Sequence, residues 1–169
     1  MVRNSVEYIP SSMKQIDSQG DALMRYIAFK GHVLSEEDLF LLQNFICPDW
    51  LIHTMLTDAE NPEHYVMDRY DERCLYDNRR DMTGLRMNEF EPDYICTSLP
   101  RYLRAKTEKR IILTHDTVLT RPSRSYLRFI FPYLSTDGEE KLLLSCRYTS
   151  IQEDVEDLDD LRLLTAKIA

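Results

Sequence analysis

The fold is decided by one stretch near the C-terminus, residues 125–151, which reads SYLRFIFPYLSTDGEEKLLLSCRYTSI. Its first half carries a large apolar side chain at every second position: Leu127, Phe129, Phe131 and Tyr133. Period-two alternation is typical of a strand with one face packed on a core, so 125–134 and 141–151 are predicted to be strands. Asp137-Gly138 between them is a strong signal for a hairpin turn.

The same reasoning, extended outward, predicts three more strands. A strand over residues 110–119 precedes the hairpin, and two strands at 50–56 and 64–70 are joined by a turn that contains Asn61-Pro62. The chain therefore contributes two strands, then a helical middle, then three strands to one α+β domain.

Helices are predicted on both sides of the first two strands. The capping pattern Ser12/Gln15 opens a first helix that ends near Gly31, and Ser35/Asp38 opens a second. A further helix is predicted over 92–106, with a kink or break at Pro100 because proline removes a helical hydrogen bond.

The charge distribution argues against a nucleic-acid partner. The 169-residue chain has a formal net charge of -8. Six of its acids lie close together near the C-terminus: Glu153, Asp154, Glu156, Asp157, Asp159 and Asp160. Because nucleic-acid binders need a basic surface, no such partner is expected.

No apolar run approaches the length of a membrane span and no signal core follows Met1, so a cytoplasmic protein without membrane insertion is predicted.

The histidines and cysteines form no pattern of a metal or catalytic site. The four cysteines are widely spaced: Cys47, Cys74, Cys96 and Cys146. Their separation favours four reduced thiols over a zinc or redox site. His115-Asp116 is the one adjacent acid–base pair, but neighbours on a strand point to opposite faces and should not cooperate. No metal and no catalytic residues are therefore predicted; His53 or His115 as a haem ligand is a minor alternative.

Two segments resemble a bacterial subfamily of PAS domains. Arg79-Arg80-Asp81-Met82-Thr83-Gly84 is similar to that subfamily's GRDLTG segment, and Phe131–Gly138, FPYLSTDG, is similar to its LPLSxDG strand and turn. Arg79 and Asp71 stand where the family has glycine. The resemblance covers about 39–151 and implies a PAS fold: a five-stranded antiparallel sheet with short helices on one face. The predicted regions are an N-terminal helical cap (1–34), the PAS domain (35–151) and an acidic C-terminal helix (152–169).

A PAS domain also implies a small pocket and an outer surface for dimerisation or effector contact. The predicted pocket candidates are strand residues with large or apolar side chains: Trp50, Ile52, Tyr65, Met67, Phe129, Phe131, Leu144 and Cys146. The predicted interface candidates come from the first helix and the last two strands: Met13, Ile16, Leu23, Ile27, Tyr126, Arg128, Ile130 and Leu143.

The resulting hypothesis is a bacterial, non-catalytic sensory and regulatory module that signals by binding a protein partner and forms a homodimer. The residues identify no cofactor, and none is expected. The alternative is a PAS sensor whose pocket binds a small molecule or cofactor. A third and less favoured reading is an enzyme of the cone-shaped α+β class, which would need several polar groups that converge in one cavity.

Overall fold

A computed structural model describes residues 2–8, 17–74, 80–119 and 123–152. Within them the chain forms seven strands and three α-helices. The strands are β1 Val2–Tyr8, β2 Val33–Leu34, β3 Leu51–Leu56, β4 Val66–Arg69, β5 Ile112–Leu119, β6 Ser123–Ser135 and β7 Glu140–Gln152. The helices are α1 Ser18–Phe29, α2 Glu36–Leu41 and α3 Pro92–Glu108, and a π-helical turn at Leu42–Ile46 extends α2. The α+β class is thereby confirmed.

All seven strands belong to one mixed sheet. Six of them lie in the order β1-β5-β6-β7-β3-β4 and are antiparallel to their neighbours, whereas the two residues of β2 pair in parallel with the end of β6. The prediction of a five-stranded, purely antiparallel sheet is therefore wrong. The five predicted strands are present, but β1 and β2 were missed, and the prediction of a wholly helical N-terminal segment is wrong at residues 2–8.

Several predicted turns and caps are confirmed. In the β6–β7 hairpin, Gly138 has φ +85° and its N–H donates to the Ser135 carbonyl at 2.9 Å. Gly31 has φ +62° just beyond α1, and Ser35 and Asp38 form a reciprocal capping box at the start of α2. Helix α1 is capped by Asp17. The predicted start at Ser12 and the acidic C-terminal helix lie outside the described residues.

Helical elements cover both faces of the sheet. On one face, Leu23 and Ile27 of α1 pack with Trp50, Phe129 and Phe131. On the other face, a second core contains residues of α3 and the segment before it together with sheet residues: Tyr65, Met67, Met87, Phe90, Tyr102, Ala105, Ile130, Leu142 and Leu144. Because both faces of the sheet are packed, β6 carries large apolar side chains on both sides. Its alternation is therefore weaker evidence of strand register than the alternation in a sheet with one solvent-exposed face.

The segment that resembles GRDLTG forms a turn and then follows β4. The Asp81 carboxylate accepts a hydrogen bond from the Thr83 N–H at 2.9 Å, and Gly84, at φ +84°, donates its N–H to the Met67 carbonyl at 2.7 Å. The Thr83 hydroxyl accepts from the Tyr70 N–H at 3.2 Å. These three motif residues thus have a local structural role, since they fold the chain back along β4.

Helix α3 runs through Pro100 without interruption. Of the predicted kink or break, the break is wrong. Tyr94 before the proline and Tyr102 after it pack in the same core, and these contacts hold the helix together on both sides of Pro100. The proline still removes the N–H that would donate to the Cys96 carbonyl.

Replacing the exposed Pro100 with alanine should therefore raise the free energy of unfolding by about 2 kcal/mol. A proline in a helix interior costs about 3 kcal/mol, and the greater freedom of alanine in the unfolded chain returns about 0.4–1 kcal/mol of that. Urea denaturation measures the change. Pro92→Ala is the matched control, because a proline at the first helical position lacks only an N–H that has no helical acceptor. A destabilising Pro100→Ala would contradict a continuous helix at this point.

Candidate functional site

A cavity of about 320 Å³ lies between the sheet and the start of α3. Its sheet side comes from β3 to β7, and its other side from the segments that lead into and begin α3. The lining residues are Leu51, His53, Met67, Tyr70, Cys74, Arg80, Met82, Phe90, Glu91, Tyr94, Val118, Arg124, Tyr126, Arg128, Leu144, Cys146 and Tyr148. Exposed Arg80 and Glu91 lie at the rim, whereas His53, Arg128 and Leu144 are buried. The volume falls in the range of small-molecule sites.

The floor of the cavity contains a buried ion pair. Arg128 of β6 and Asp116 of β5 have 2% and 0% of their side chains exposed, and Arg128 Nη2 lies 3.0 Å from Asp116 Oδ2. The Thr114 hydroxyl donates to the same carboxylate oxygen at 3.1 Å. Burial opposes the charge of Arg128, but the Asp116 carboxylate beside it outweighs this and raises the pKa of Arg128, so the guanidinium stays charged.

The same arginine binds α3 to the sheet. Its Nη1 donates to the Tyr102 hydroxyl at 2.8 Å and to the Ser98 hydroxyl at 3.1 Å. Its Cζ lies 5.4 Å from the ring centroid of Tyr102 and 5.8 Å from that of Tyr94, and the two tyrosine hydroxyls hydrogen-bond to each other. Because every one of these partners is on α3, the ion pair also fixes the helix over the cavity.

A second polar group, around His53, lies at the β3 side of the cavity. The Asp71 backbone N–H donates to His53 Nδ1 at 3.0 Å, so the neutral ring carries its proton on Nε2, which lies 3.7 Å from Cys74 Sγ. The Asp71 carboxylate accepts from the Ile52 N–H at 2.8 Å and from Arg73 Nη2 at 2.6 Å. Burial lowers the pKa of His53 to about 4, so the ring is uncharged at neutral pH.

Aromatic rings form much of the remaining wall. Tyr126 and Tyr148 extend from the sheet with ring centroids 6.0 Å apart. Phe90 and Tyr94 extend from the helix side and stack on each other with their ring centroids 5.2 Å apart. Tyr70 stacks on His53 at 4.7 Å and closes the β3 end.

The predicted pocket candidates divide between the two faces of the sheet. Met67, Leu144 and Cys146 line the cavity. Tyr65 is buried in the core beside it, under α3. The other four candidates pack under α1 on the opposite face: Trp50, Ile52, Phe129 and Phe131. The register between β6 and β7 explains the division. Arg128 pairs with Cys146, so the even-numbered residues of both strands share the cavity face. Phe129 pairs with Ser145, so the odd-numbered residues of both strands share the face under α1.

The predicted interface candidates are mostly inside the protein. Leu23 and Ile27 of α1 are buried with Leu143 in the core between α1 and the sheet, and Ile130 is buried in the core under α3. Tyr126 and Arg128 line the cavity. Met13 and Ile16 lie outside the described residues. Leu143 does not share a sheet face with the candidates Tyr126, Arg128 and Ile130, because the β6–β7 register puts Leu143 opposite Phe131.

The polar centre of the cavity was missed as a site by the sequence reasoning. Asp116 was considered only together with His115, and Arg128 only as a surface residue. A signal was present, since Thr114 and Asp116 share one face of β5 and Arg128 is a charge between the apolar residues Leu127 and Phe129 of β6. His115 does point to the other face from Asp116, as expected, and lies 3.3 Å from the Thr149 hydroxyl.

Throughout the described ranges no three His, Cys, Asp or Glu side chains are grouped to hold a metal ion. All four cysteines are free thiols, with Cys47 and Cys74 buried and Cys96 exposed. In the same part of the chain, no helix has the length and apolar character needed to cross a membrane.

Comparison with known proteins gave no match to a family model, to a curated protein or to a solved structure.

Replacing Arg128 with methionine should lower the free energy of unfolding by about 3–5 kcal/mol, because Asp116 is left as an uncompensated buried charge. The double variant Arg128→Met/Asp116→Leu should be more stable than Arg128→Met alone. Chemical denaturation measures both. Arg25→Met is the control, since the Arg25–Asp21 pair is exposed and should contribute less than about 1 kcal/mol. Equal losses for Arg25→Met and Arg128→Met would contradict the buried pair.

Protonation of His53 should make the protein less stable in acid. The folded pKa is depressed, so the unfolded chain takes up the proton first as pH falls below about 6.5, and stability is lost between about pH 6.5 and pH 4. His53→Asn keeps an acceptor for the Asp71 N–H and should remove a loss on the order of 3 kcal/mol from this window. Denaturation midpoints at several pH values test this, with the exposed His64→Asn as control. An unchanged pH profile in His53→Asn would show that another group titrates.

Proposed function

We propose that this chain is a non-catalytic sensory module of PAS type that binds a small molecule in the cavity and reports its presence to a protein partner. The observation that carries the proposal is the cavity itself, which has a polar floor, aromatic walls and an exposed rim. Small-molecule sites have this composition, in which a few oriented polar groups lie within a mostly apolar lining. The small-molecule sensor, the alternative in the sequence analysis, is thus the version that the geometry supports best.

The PAS assignment is part of this proposal. It is supported by the four antiparallel pairings that join β3 to β7 in the order β5-β6-β7-β3-β4, by the helical segments between β4 and β5, and by the turns formed at Thr83-Gly84 and Asp137-Gly138. The resemblance to a PAS domain implies a small pocket enclosed by the sheet and its helices. The cavity occupies the corresponding place here, next to β3, β4 and the start of α3.

The proposed protein contact is supported by exposed aromatic rings on the helical layer opposite the cavity. Phe40 and Phe45 are 54% and 70% exposed, and their ring centroids are 6.1 Å apart. Paired exposed rings are a more informative sign of an interface than single ones. We propose that this surface, in a homodimer or with another protein, carries the signal, without a cofactor and in the cytoplasm.

Native mass spectrometry of the purified protein tests the proposal. The wild-type chain should carry a small molecule, either as purified or after incubation with a cell extract. Cys146→Phe, which fills the cavity, should lose this mass, whereas Cys96→Phe should keep it because Cys96 is exposed on α3 outside the lining.

A wild-type chain with no added mass under either condition contradicts ligand binding. The same spectra report association, and bare monomers at every concentration would contradict the homodimer.

A further inference from the structure

We infer that the ligand of this cavity is a planar aromatic molecule of about a dozen non-hydrogen atoms that carries no positive charge. This inference rests on the proposed function, since it names the chemical class that the cavity selects. It follows from three properties of the lining: the placement of the rings, the volume and the distribution of charge.

The rings favour a flat aromatic ligand. Tyr126 and Tyr148 come from the sheet, while Phe90 and Tyr94 come from the helix side, so aromatic surfaces border the cavity on two sides. Stacked and edge-to-face ring pairs contribute beyond the apolar area that they bury. A planar aromatic molecule between these walls is stabilised by ring contacts on both of its faces. A puckered aliphatic molecule of the same size is stabilised only by the apolar area that it buries.

The volume limits the ligand to one or two fused rings. A cavity of about 150 Å³ holds benzene, which has six non-hydrogen atoms. By proportion, a cavity of about 320 Å³ holds about a dozen. A bicyclic aromatic acid is of this size, whereas a flavin or a haem is too large for the cavity.

The charges disfavour a cation. Arg80, Arg124 and Arg128 line the cavity against Glu91, with Asp116 behind Arg128, so the described side chains around the cavity have an excess of one positive charge. Ring faces attract cations, but Arg128 already lies over the faces of Tyr94 and Tyr102. His53 adds no charge at neutral pH, because burial lowers its pKa. Neutral and anionic aromatic molecules therefore fit, and cationic ones do not.

Three probes of nearly equal size separate these properties. Isothermal titration calorimetry with the full chain at pH 7.5 should show binding of 2-naphthoate. Decahydro-2-naphthoate has the same non-hydrogen atoms and charge but no aromatic ring, and 2-naphthylmethylammonium has the ring but a positive charge. Decahydro-2-naphthoate should bind at least about fivefold more weakly than 2-naphthoate, which is the effect of one to two ring contacts. 2-Naphthylmethylammonium should also bind more weakly than 2-naphthoate, because the charged groups around the cavity disfavour a cation. Equal or tighter binding of either comparison probe overturns the inference.

Variants place the binding in this cavity. Tyr148→Leu should weaken the binding of 2-naphthoate several-fold and leave the binding of decahydro-2-naphthoate unchanged. Phe29→Leu removes a ring that is 84% exposed and should change the binding of neither probe. Cys146→Phe should abolish binding of all three probes. Melting temperatures without ligand show whether each variant is folded.

The outcomes also distinguish this inference from the proposed function. If native mass spectrometry finds a bound aliphatic or cationic molecule that Cys146→Phe loses, the sensor survives and the inference fails. If no probe binds and no native ligand is found, both fail.

Discussion

The Arg128–Asp116 ion pair lies inside the protein, on the face of the sheet that α3 covers, and much of that half of the structure depends on it. Removing such charges from water costs several kcal/mol per ion, which a single contact does not offset. The cost is met by additional hydrogen bonds, from Thr114 to Asp116 and from Arg128 to Ser98 and Tyr102. Because these partners come from β5, β6 and α3, the requirement to satisfy one charge fixes two strands and a helix together.

The ion pair also constrains strand register where apolar patterning is weak. β6 is packed on both faces, so a slip of one residue relative to β5 would still bury apolar side chains. Such a slip would move Asp116 to the opposite face from Arg128 and leave two unpaired buried charges. The Asp71 carboxylate has a comparable role at β3, where it accepts the Ile52 N–H and holds Arg73, whose Nη2 donates to the Trp50 carbonyl at 2.9 Å.

These two polar centres explain why a cavity can remain between the sheet and α3. Arg128 holds the helix through Ser98 and Tyr102, so the helix does not need to pack closely along its whole length. At its first turn, Phe90 and Tyr94 pack on each other and leave space in front of Tyr126 and Tyr148. Rigid polar contacts that hold the elements beside an aromatic opening are the arrangement expected of a preorganised binding site.

The sequence by itself determined the elements whose signals are local. The alternation in 125–134 and 141–151, the Asp137-Gly138 turn and the capping box at Ser35 need only neighbouring residues, and the structure confirms each of them. The α+β class follows from the order of those elements.

Only the tertiary structure decided which side chains share a face and therefore what the site contains. Phe129 and Phe131 have the same alternation as Leu144 and Cys146, and no local property shows that the register assigns them to opposite faces. The missed strand β1 and the unbroken helix at Pro100 have the same origin, since pairing with β5 and packing on the sheet override weak or opposing local preferences. Long-range contacts, in which Asp116 meets Arg128 and Asp71 meets His53, created the cavity, and they are absent from any short window of the chain.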